Sequence, residues 1–296
     1  PMTKARENSD YTGLAADIVA GDTAARAGRK NLIINGRLGS DTMVNQRGFT
    51  SGTLADDAYG FDRWMSKSGA SSITLNASNI TLTSGKLVQI IENPFISGES
   101  VTVSASVSSG TLTGRLGTTD AFQTLPFTTT ASSGDIRLEL VGNGSVFTNV
   151  QLELGSVATD FEHKSYGEIL ADCQRYCAAW QGSGSPLGNG GAINASGSRS
   201  FLGFGNAHNP SNPVTWLDLP VVMRGTPTLT FSAAGDFIFD RGWAASATYT
   251  GIATQTLRSN YKTIGLIGST TGLNNGDAGS LSFNNTAAYM ILEAEL

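Results

Sequence analysis

From residue 31 to about 161 the chain alternates apolar and polar side chains with a period of two. Val101, Val103, Ala105 and Val107 alternate with Thr102, Ser104, Ser106 and Ser108, which turns one strand face to a core and the other to water. Ile136, Leu138 and Leu140 repeat the pattern against Asp135, Arg137 and Glu139. Val146, Thr148, Val150, Leu152 and Leu154 do so again, with Gln151 and Glu153 on the outward side. Ser-Gly, Gly-Asn-Gly and Gly-Thr-Thr-Asp turns separate these runs and no helical stripe lies between them. Residues 31–163 are therefore expected to form an antiparallel, jelly-roll-like sandwich.

The period then changes. Ser165 is followed three residues later by Glu168, the spacing of a capping box, in which each side chain satisfies an orphan amide at a helix start. Ile169, Leu170, Cys173, Tyr176, Cys177 and Trp180 fall on one helical stripe, and Gly182 is a natural stop. The pattern predicts one amphipathic helix within the connecting segment 164–182, running over 165–180 and so about 24 Å long at ~1.5 Å per residue. Its apolar face needs a partner, either the flanking sandwiches or further copies of the chain. Residues 181–198 carry no charge and are rich in Gly, Ser and Asn, so they read as a loop. Beyond it, 201–204, 214–219, 228–232, 237–240, 263–267 and 288–296 are strand-prone and separated by turn residues, which predicts a second β-sandwich across 183–296. Residues 1–30 mix Ala and Gly with charges of both signs and show no sustained stripe. They read as an arm that gains order on another chain.

Composition agrees with this all-β reading of two antiparallel sandwiches, one helix and an N-terminal arm. The 296 residues suffice for two modules, and only 15% are charged, against about 25% in an ordinary globular protein, while 36 are glycine. A net charge of −5 offers no basic footprint for phosphates, which argues against nucleic acid as a partner. The longest apolar runs fall far short of the roughly 20 residues that cross a bilayer, so no membrane insertion is expected. The first residues lack the apolar stretch of a secretory signal. Folding in a cytosol, with thiols reduced, is the expectation. The two cysteines, Cys173 and Cys177, are four apart on the predicted helix, where a disulfide would strain the geometry, and too few ligands accompany them for zinc. They are expected in a core.

An ordered series of short motifs carries a resemblance. Asn31-Leu32-Ile33-Ile34-Asn35-Gly36, Asn45-Gln46-Arg47-Gly48, Phe61-Asp62-Arg63-Trp64, the run from Gln151 to Glu162, Ser165-Tyr166-Gly167-Glu168 and Cys173-Gln174-Arg175-Tyr176 follow one another in that order. The series resembles phage tail-fibre and related virion appendage proteins, whose first half is a jelly roll similar to carbohydrate-binding modules. The likeness covers about residues 24–180, with a weaker echo at Leu219-Pro220-Val221-Val222-Met223-Arg224-Gly225-Thr226-Pro227. It implies a virion location after assembly in the host cytoplasm, homotrimers and a surface facing the host or its glycans. On that reading residues 1–30 anchor the chain to other tail or capsid proteins and the C-terminal sandwich faces host surface polysaccharide. A capsid decoration or head-fibre protein without a receptor role is the alternative, and a virion-associated glycan-degrading enzyme a third.

Sugar recognition by proteins stacks aromatic rings on pyranose faces and aims amide, carboxyl and guanidinium groups at hydroxyls. Trp64, beside Phe61 in a framework motif, is expected in the core. Trp216, Trp243 and Tyr249 lie near strand ends or loops, with Arg241 close in sequence to Trp243, and these four are the candidate ligand-binding residues. Asp56 and Asp57 could offer oxygens to calcium but read more simply as a solvated turn. His163 and His208 stand in no nucleophile or zinc motif, and the Gly-rich tract at 182–191 does not join a strand to a helix start as a phosphate loop does. No catalytic residue, metal site or cofactor is predicted, and the chain reads as a binder rather than an enzyme.

Overall fold

The computed structural model describes residues 30–181, 201–242, 246–254 and 262–295. Strands dominate, joined by one short α-helix among the described residues, and the fold class is all-β as the alternation predicts. The chain divides into two compact units, and the division does not follow the sequence linearly. Unit 1 takes Thr50–Ala58 and Trp64–Lys164 with the described residues up to Met43, whereas unit 2 takes Ser165–Leu296 together with Val44–Phe49 and Tyr59–Arg63.

Unit 1 is built from β1 (Gly52–Leu54), β2 (Met65–Ser66), β3 (Ser71–Leu75), β4 (Ile80–Ser84), β5 (Lys86–Ile91), β6 (Ser100–Ser109), β7 (Leu112–Leu116), β8 (Gln123–Thr124), β9 (Phe127–Thr130), β10 (Ile136–Gly142) and β11 (Ser145–Leu154). They form a six-stranded sheet, β1-β3-β4-β11-β6-β9, and a five-stranded sheet, β2-β5-β10-β7-β8, with antiparallel pairing. Val101, Val103, Phe147 and Leu152 in the first and Leu87, Leu138 and Leu140 in the second are all completely buried. That burial is the return on the period-two pattern, except that Phe147 turns inward where the alternation predicts Val146 and Thr148, because the register shift between Thr148 and Gln151 reverses the alternation within β11. The inward alternation of β6 stops at Val103, however, and Val107 is exposed.

Two expectations about polar side chains are corrected here. Gln151 and Glu153 point away from the inter-sheet core but do not meet water, because the chain after β11 folds back over them. Glu153 accepts the amide and hydroxyl of Thr159, and Gln151 accepts the amide of Glu162 at 2.9 Å. Glu139 is likewise fully buried. A strand's outward face is solvated only if nothing else in the chain covers it.

The motif residues of unit 1 turn out to be structural fasteners. The Asn31 side chain accepts the amides of Ile33 and Leu152 and donates to the Val150 carbonyl. Gln89 holds both backbone groups of Ile34. Trp64 is fully buried and its indole N–H donates to the Asn35 carbonyl at 3.0 Å. Gly36 passes so close to β11 that a Cβ would stand 2.2 Å from the Val150 carbonyl oxygen, so no other residue fits.

Unit 2 begins with α1 (Tyr166–Gln174), whose capping box forms as the spacing predicts: Ser165 Oγ accepts from the Glu168 amide and Glu168 accepts from the Ser165 amide. The helix then stops short. Cys177–Gln181 is not its second half but a strand, β12, paired with β21 (Tyr289–Glu293) from Cys177 opposite Glu293 to Gln181 opposite Tyr289. Ala178, Ala179 and Trp180 are buried with Cys177, and a short run that is apolar throughout satisfies either period. Pairing with β21, more than a hundred residues away, decides the matter.

With β15 (Thr228–Phe231), these strands make a three-stranded sheet, β12-β21-β15. The other sheet has seven strands in the order β17-β16-β20-β13-β14-β19-β18. They are β13 (Phe201–Asn209), β14 (Asn212–Asp218), β16 (Phe237–Asp240), β17 (Ala247–Thr248), β18 (Gly251–Thr254), β19 (Thr263–Ser269) and β20 (Ala278–Phe283). Phe237, Phe239, Leu281 and Phe283 share one buried cluster with Trp180, Met290 and Leu292. The interior strand β20 has small residues at Ala278-Gly279-Ser280 and little strand signal, and sequence reading passed over it. The stretches read as the arm (1–30) and the charge-free loop (181–198) lie almost entirely outside the described residues. No helix among the described residues is long and apolar enough to cross a membrane.

Candidate functional site

The outer face of the seven-stranded sheet of unit 2 carries the site. Alternation in β14 sends Thr215 and Leu217 into the core and leaves Val214 and Trp216 on the opposite face. Trp216 is half-buried. Its register partners are Phe204 on β13 and Gly265 on β19. Phe204 is 71% exposed, high for a phenylalanine in the middle of a sheet. The indole of Trp216 lies over Gly265, where a Cβ would come within 2.9 Å of the ring, so the glycine lets the indole lie across the neighbouring strand. Polar groups border the two rings. Ser280 stands opposite Phe204 in the ladder, Asp240 opposite Ser280, and exposed Asn206 lies two residues along from Phe204 on the same face. An aromatic floor with hydroxyl, amide and carboxylate groups beside it suits a ligand with an apolar face and hydroxyl edges.

The other predicted ligand-binding residues fare differently. Tyr249 is a core residue rather than a surface contact: it is 2% exposed and packs where a Cβ on Gly268 would stand, 1.7 Å from the ring. Burial pushes its phenol well up, only partly offset by a hydrogen bond with the Thr215 side chain. Ala247 and Tyr249 flank exposed Thr248, and the alternation turns the tyrosine inward. The Arg241 guanidinium donates to Asp277 at 2.8 Å. The Asn274 amide, first, and this arginine hold the Asp277 carboxyl below the usual range. Trp243 lies outside the described residues. Phe204, which sequence reading did not single out, completes the aromatic pair. Its signal is the Gly203-Phe204-Gly205 run, an aromatic residue between two glycines in a strand.

A second feature of unit 2 was also missed. Gln46, Arg47, Asp62 and Arg63, from two framework motifs, join Glu293 and Glu295 at the end of β21 in a buried ionic network. Asp62, fully buried, accepts the amide of Gln46 and, at 2.8 Å, its side-chain nitrogen, which also donates to the Cys177 carbonyl at 2.8 Å. Arg47 donates to Glu293 and Glu295, each at 3.0 Å, and Arg63 pairs with Glu295 while its guanidinium stacks 3.6 Å from the centre of the Tyr176 ring. Burial raises the Asp62 carboxyl despite the opposing influence of Arg47 and the Gln46 hydrogen bonds. Burial by itself would lower Arg47, but Cys177, Glu295, Asp62 and Glu293 together raise it. Tyr59, beneath Arg47, is pushed up to about 12, by burial first and then by Glu295. The network sets two guanidinium groups against three carboxylates and ties Val44–Phe49 and Tyr59–Arg63 to the end of β21.

Unit 1 contributes a polar groove of about 360 Å³ between Arg37, Asn79, Ser106, Thr148, Asn149 and His163. It lies where the β6–β11 register shifts and Asn149 adopts a left-handed conformation with φ of 53°, a bulge that re-aims side chains. Its walls carry hydrogen-bonding groups but no flat aromatic floor.

Chemistry elsewhere is sparse. Cys173 and Cys177 are free, buried thiols, and burial pushes both well up, which keeps them protonated and unreactive. Asp57 pairs with Lys67. His163 packs edge-on against Phe161. No group of three or more His, Cys, Asp or Glu among the described residues is arranged to hold a metal ion. No protein-family model and no curated protein matches the chain.

Proposed function

We propose that this chain is a structural component of a phage virion, a tail-fibre type of appendage that attaches to the host surface by binding glycan without cleaving it. The observation that carries the reading is the Phe204–Trp216 pair on the outer face of a rigid sheet, bordered by Asn206, Ser280 and Asp240. Two aromatic rings presented on paired central strands need no ordering on binding, so the entropy lost by the protein is small. The motif series of the first half, with its likeness to virion appendages, supports the location. In this reading residues 1–30 dock on the particle, three copies assemble, and weak single contacts gain strength through effective concentration.

The test is binding of the full chain to host surface polysaccharide beside its Trp216→Ala variant. Removing the indole from a stacked sugar is expected to weaken binding at least about tenfold, roughly 1.4 kcal/mol, with the thermal midpoint little changed because Trp216 is half-buried on an outer face. No reducing ends should appear on incubation. Unchanged affinity in Trp216→Ala would sink the assignment of the site, and gold labelling of intact particles that found the chain only on the capsid would favour a decoration protein.

A further inference from the structure

The five-stranded sheet of unit 1 carries a cationic cluster on the face turned away from the core. Register places Glu139 of β10 opposite Arg115 of β7 on one side and Val88 of β5 on the other, with Lys86 two residues from Val88 and Arg137 two residues from Glu139. All four charged side chains therefore rise from one face. Glu139 is completely buried beneath the cations. Its Oε2 meets Arg115 at 2.9 Å and Lys86 at 3.6 Å, and its Oε1 meets Arg137 at 2.6 Å. Three cations share one carboxylate, which leaves two positive charges over, in a chain whose net charge is −5.

The donors are not exhausted. Arg115 also reaches the Asp120 carbonyl through Nη1, whereas Arg137 spends only Nη2, and its buried Nε has no hydrogen-bond partner. Lys86, Arg115 and Arg137 are 26%, 15% and 20% exposed, so each guanidinium or ammonium reaches solvent from a stem held in place. Phe122 lies over the cluster, its ring centre 4.5 Å from the Arg115 guanidinium and 5.7 Å from the Lys86 ammonium, with 36% of the residue exposed. A buried carboxylate that fixes three cations beside a half-open aromatic ring forms a preorganised receptor for an anion attached to a ring with an apolar face.

We propose that this cluster binds the anionic group, uronate carboxylate or sulfate ester, of an acidic polysaccharide, with Phe122 against the sugar ring. The proposal extends the glycan reading to a second surface, in unit 1, and narrows the ligand to charged sugars. Nucleic acid, the other polyanion that could meet these cations, is separated from an acidic sugar by the DNA arm of the test.

The experiment titrates the full chain with oligogalacturonate, its methyl ester, dextran sulfate and a DNA oligonucleotide, at low and moderate salt. Binding to oligogalacturonate or dextran sulfate, weaker at higher salt, is expected, and which of the two binds tighter identifies the anionic group. The Lys86→Gln/Arg137→Gln variant should lose at least tenfold in affinity, and Phe122→Ala should lose several-fold. In the parent chain, amide shifts on titration should centre on residues 86, 115, 122 and 137, a readout that holds even if a variant fails to fold. Equal binding of the methyl ester, tighter binding of DNA, shifts centred elsewhere, no binding of either anion, or an unaffected double variant would each overturn the site. The Trp216 assignment is judged separately, by loss of host polysaccharide binding in Trp216→Ala.

Discussion

At the scale of single residues, the strongest consequences come from charges that the fold has withdrawn from water. Arg47 is the hinge of the unit 2 network, with a side chain only 7% exposed and three carboxylates around it. Arg47→Met removes the guanidinium that Asp62, Glu293 and Glu295 share and leaves Glu295 to Arg63, and removal of one partner from a buried ionic group costs about 3–5 kcal/mol. Urea unfolding should show a loss of that size, and a loss below 1 kcal/mol would mean the network is wet. Glu153 makes a pH prediction. Burial alone would raise its carboxyl, but the hydroxyl and amide of Thr159, the Gln151 amide and Lys30 bring it below the ordinary range. The unfolded chain then takes up a proton at higher pH than the folded one. The stability from Glu153 is therefore present above the usual carboxylate pKa and is lost as pH falls through the folded value. Asp62, raised by burial, has the opposite sign: it favours the folded chain in acid and withdraws stability as pH rises. Comparison of Glu153→Gln with the parent separates the two, and the variant should lose less stability between about pH 5 and pH 3. A parallel acid limb would refute the role of Thr159.

At the scale of elements, the site depends on glycines that let strands approach and rings lie flat. In β13, a Cβ on Gly205 would stand 1.9 Å from the Val214 carbonyl oxygen of β14, and one on Gly203 would stand 2.1 Å from the Trp216 carbonyl oxygen. Backbone cannot yield as a side chain can, so Gly205→Ala should destabilise by about 3 kcal/mol or more, by forcing the two strands apart. Gly265→Ala meets only the edge of the Trp216 ring and should cost about 1 kcal/mol while tilting the indole and weakening glycan binding. Thermal melts of the two variants check the order, and the reverse order would show that the Trp216 ring is held more firmly than the strand. The elements themselves were unevenly legible. The Ser165–Glu168 box announced the helix start because capping is a local exchange of hydrogen bonds. The helix end was misplaced because Cys177-Ala178-Ala179-Trp180 is apolar throughout, and only β21 supplies the strand's partners.

At the scale of the whole molecule, unit 2 is discontinuous in sequence, and this too is open to test. Expressed alone, residues 165–296 lack Gln46, Arg47, Asp62 and Arg63. Glu293, Glu295 and the Cys177 carbonyl then lose the groups that neutralise or satisfy them. The fragment should aggregate or melt well below the chain from residue 30 onward, as differential scanning calorimetry would show. A fragment as stable as the longer chain would mean that the network contributes nothing to folding. The boundary drawn from sequence, between 163 and 183, could not reveal this. The Gln-Arg-Gly and Phe-Asp-Arg motifs sit more than a hundred residues before the strands they complete, and no local pattern records a partner at that distance.

What the amino-acid order determined by itself was whatever neighbours in sequence can settle: the all-β class, the three long strands β6, β10 and β11 of unit 1, most strands of unit 2, the capped helix start and the burial of Trp64. Period and capping are local, and the hydrophobic effect reads them without knowing the partner. What only the tertiary structure decided was which polar faces are covered, as at Gln151, Glu153 and Glu139, which aromatic stays outside, as with Phe204 against Tyr249, and which distant charges meet. Those outcomes depend on packing between segments remote in the chain, where a side chain's environment is set by what arrives above it rather than by its own alternation.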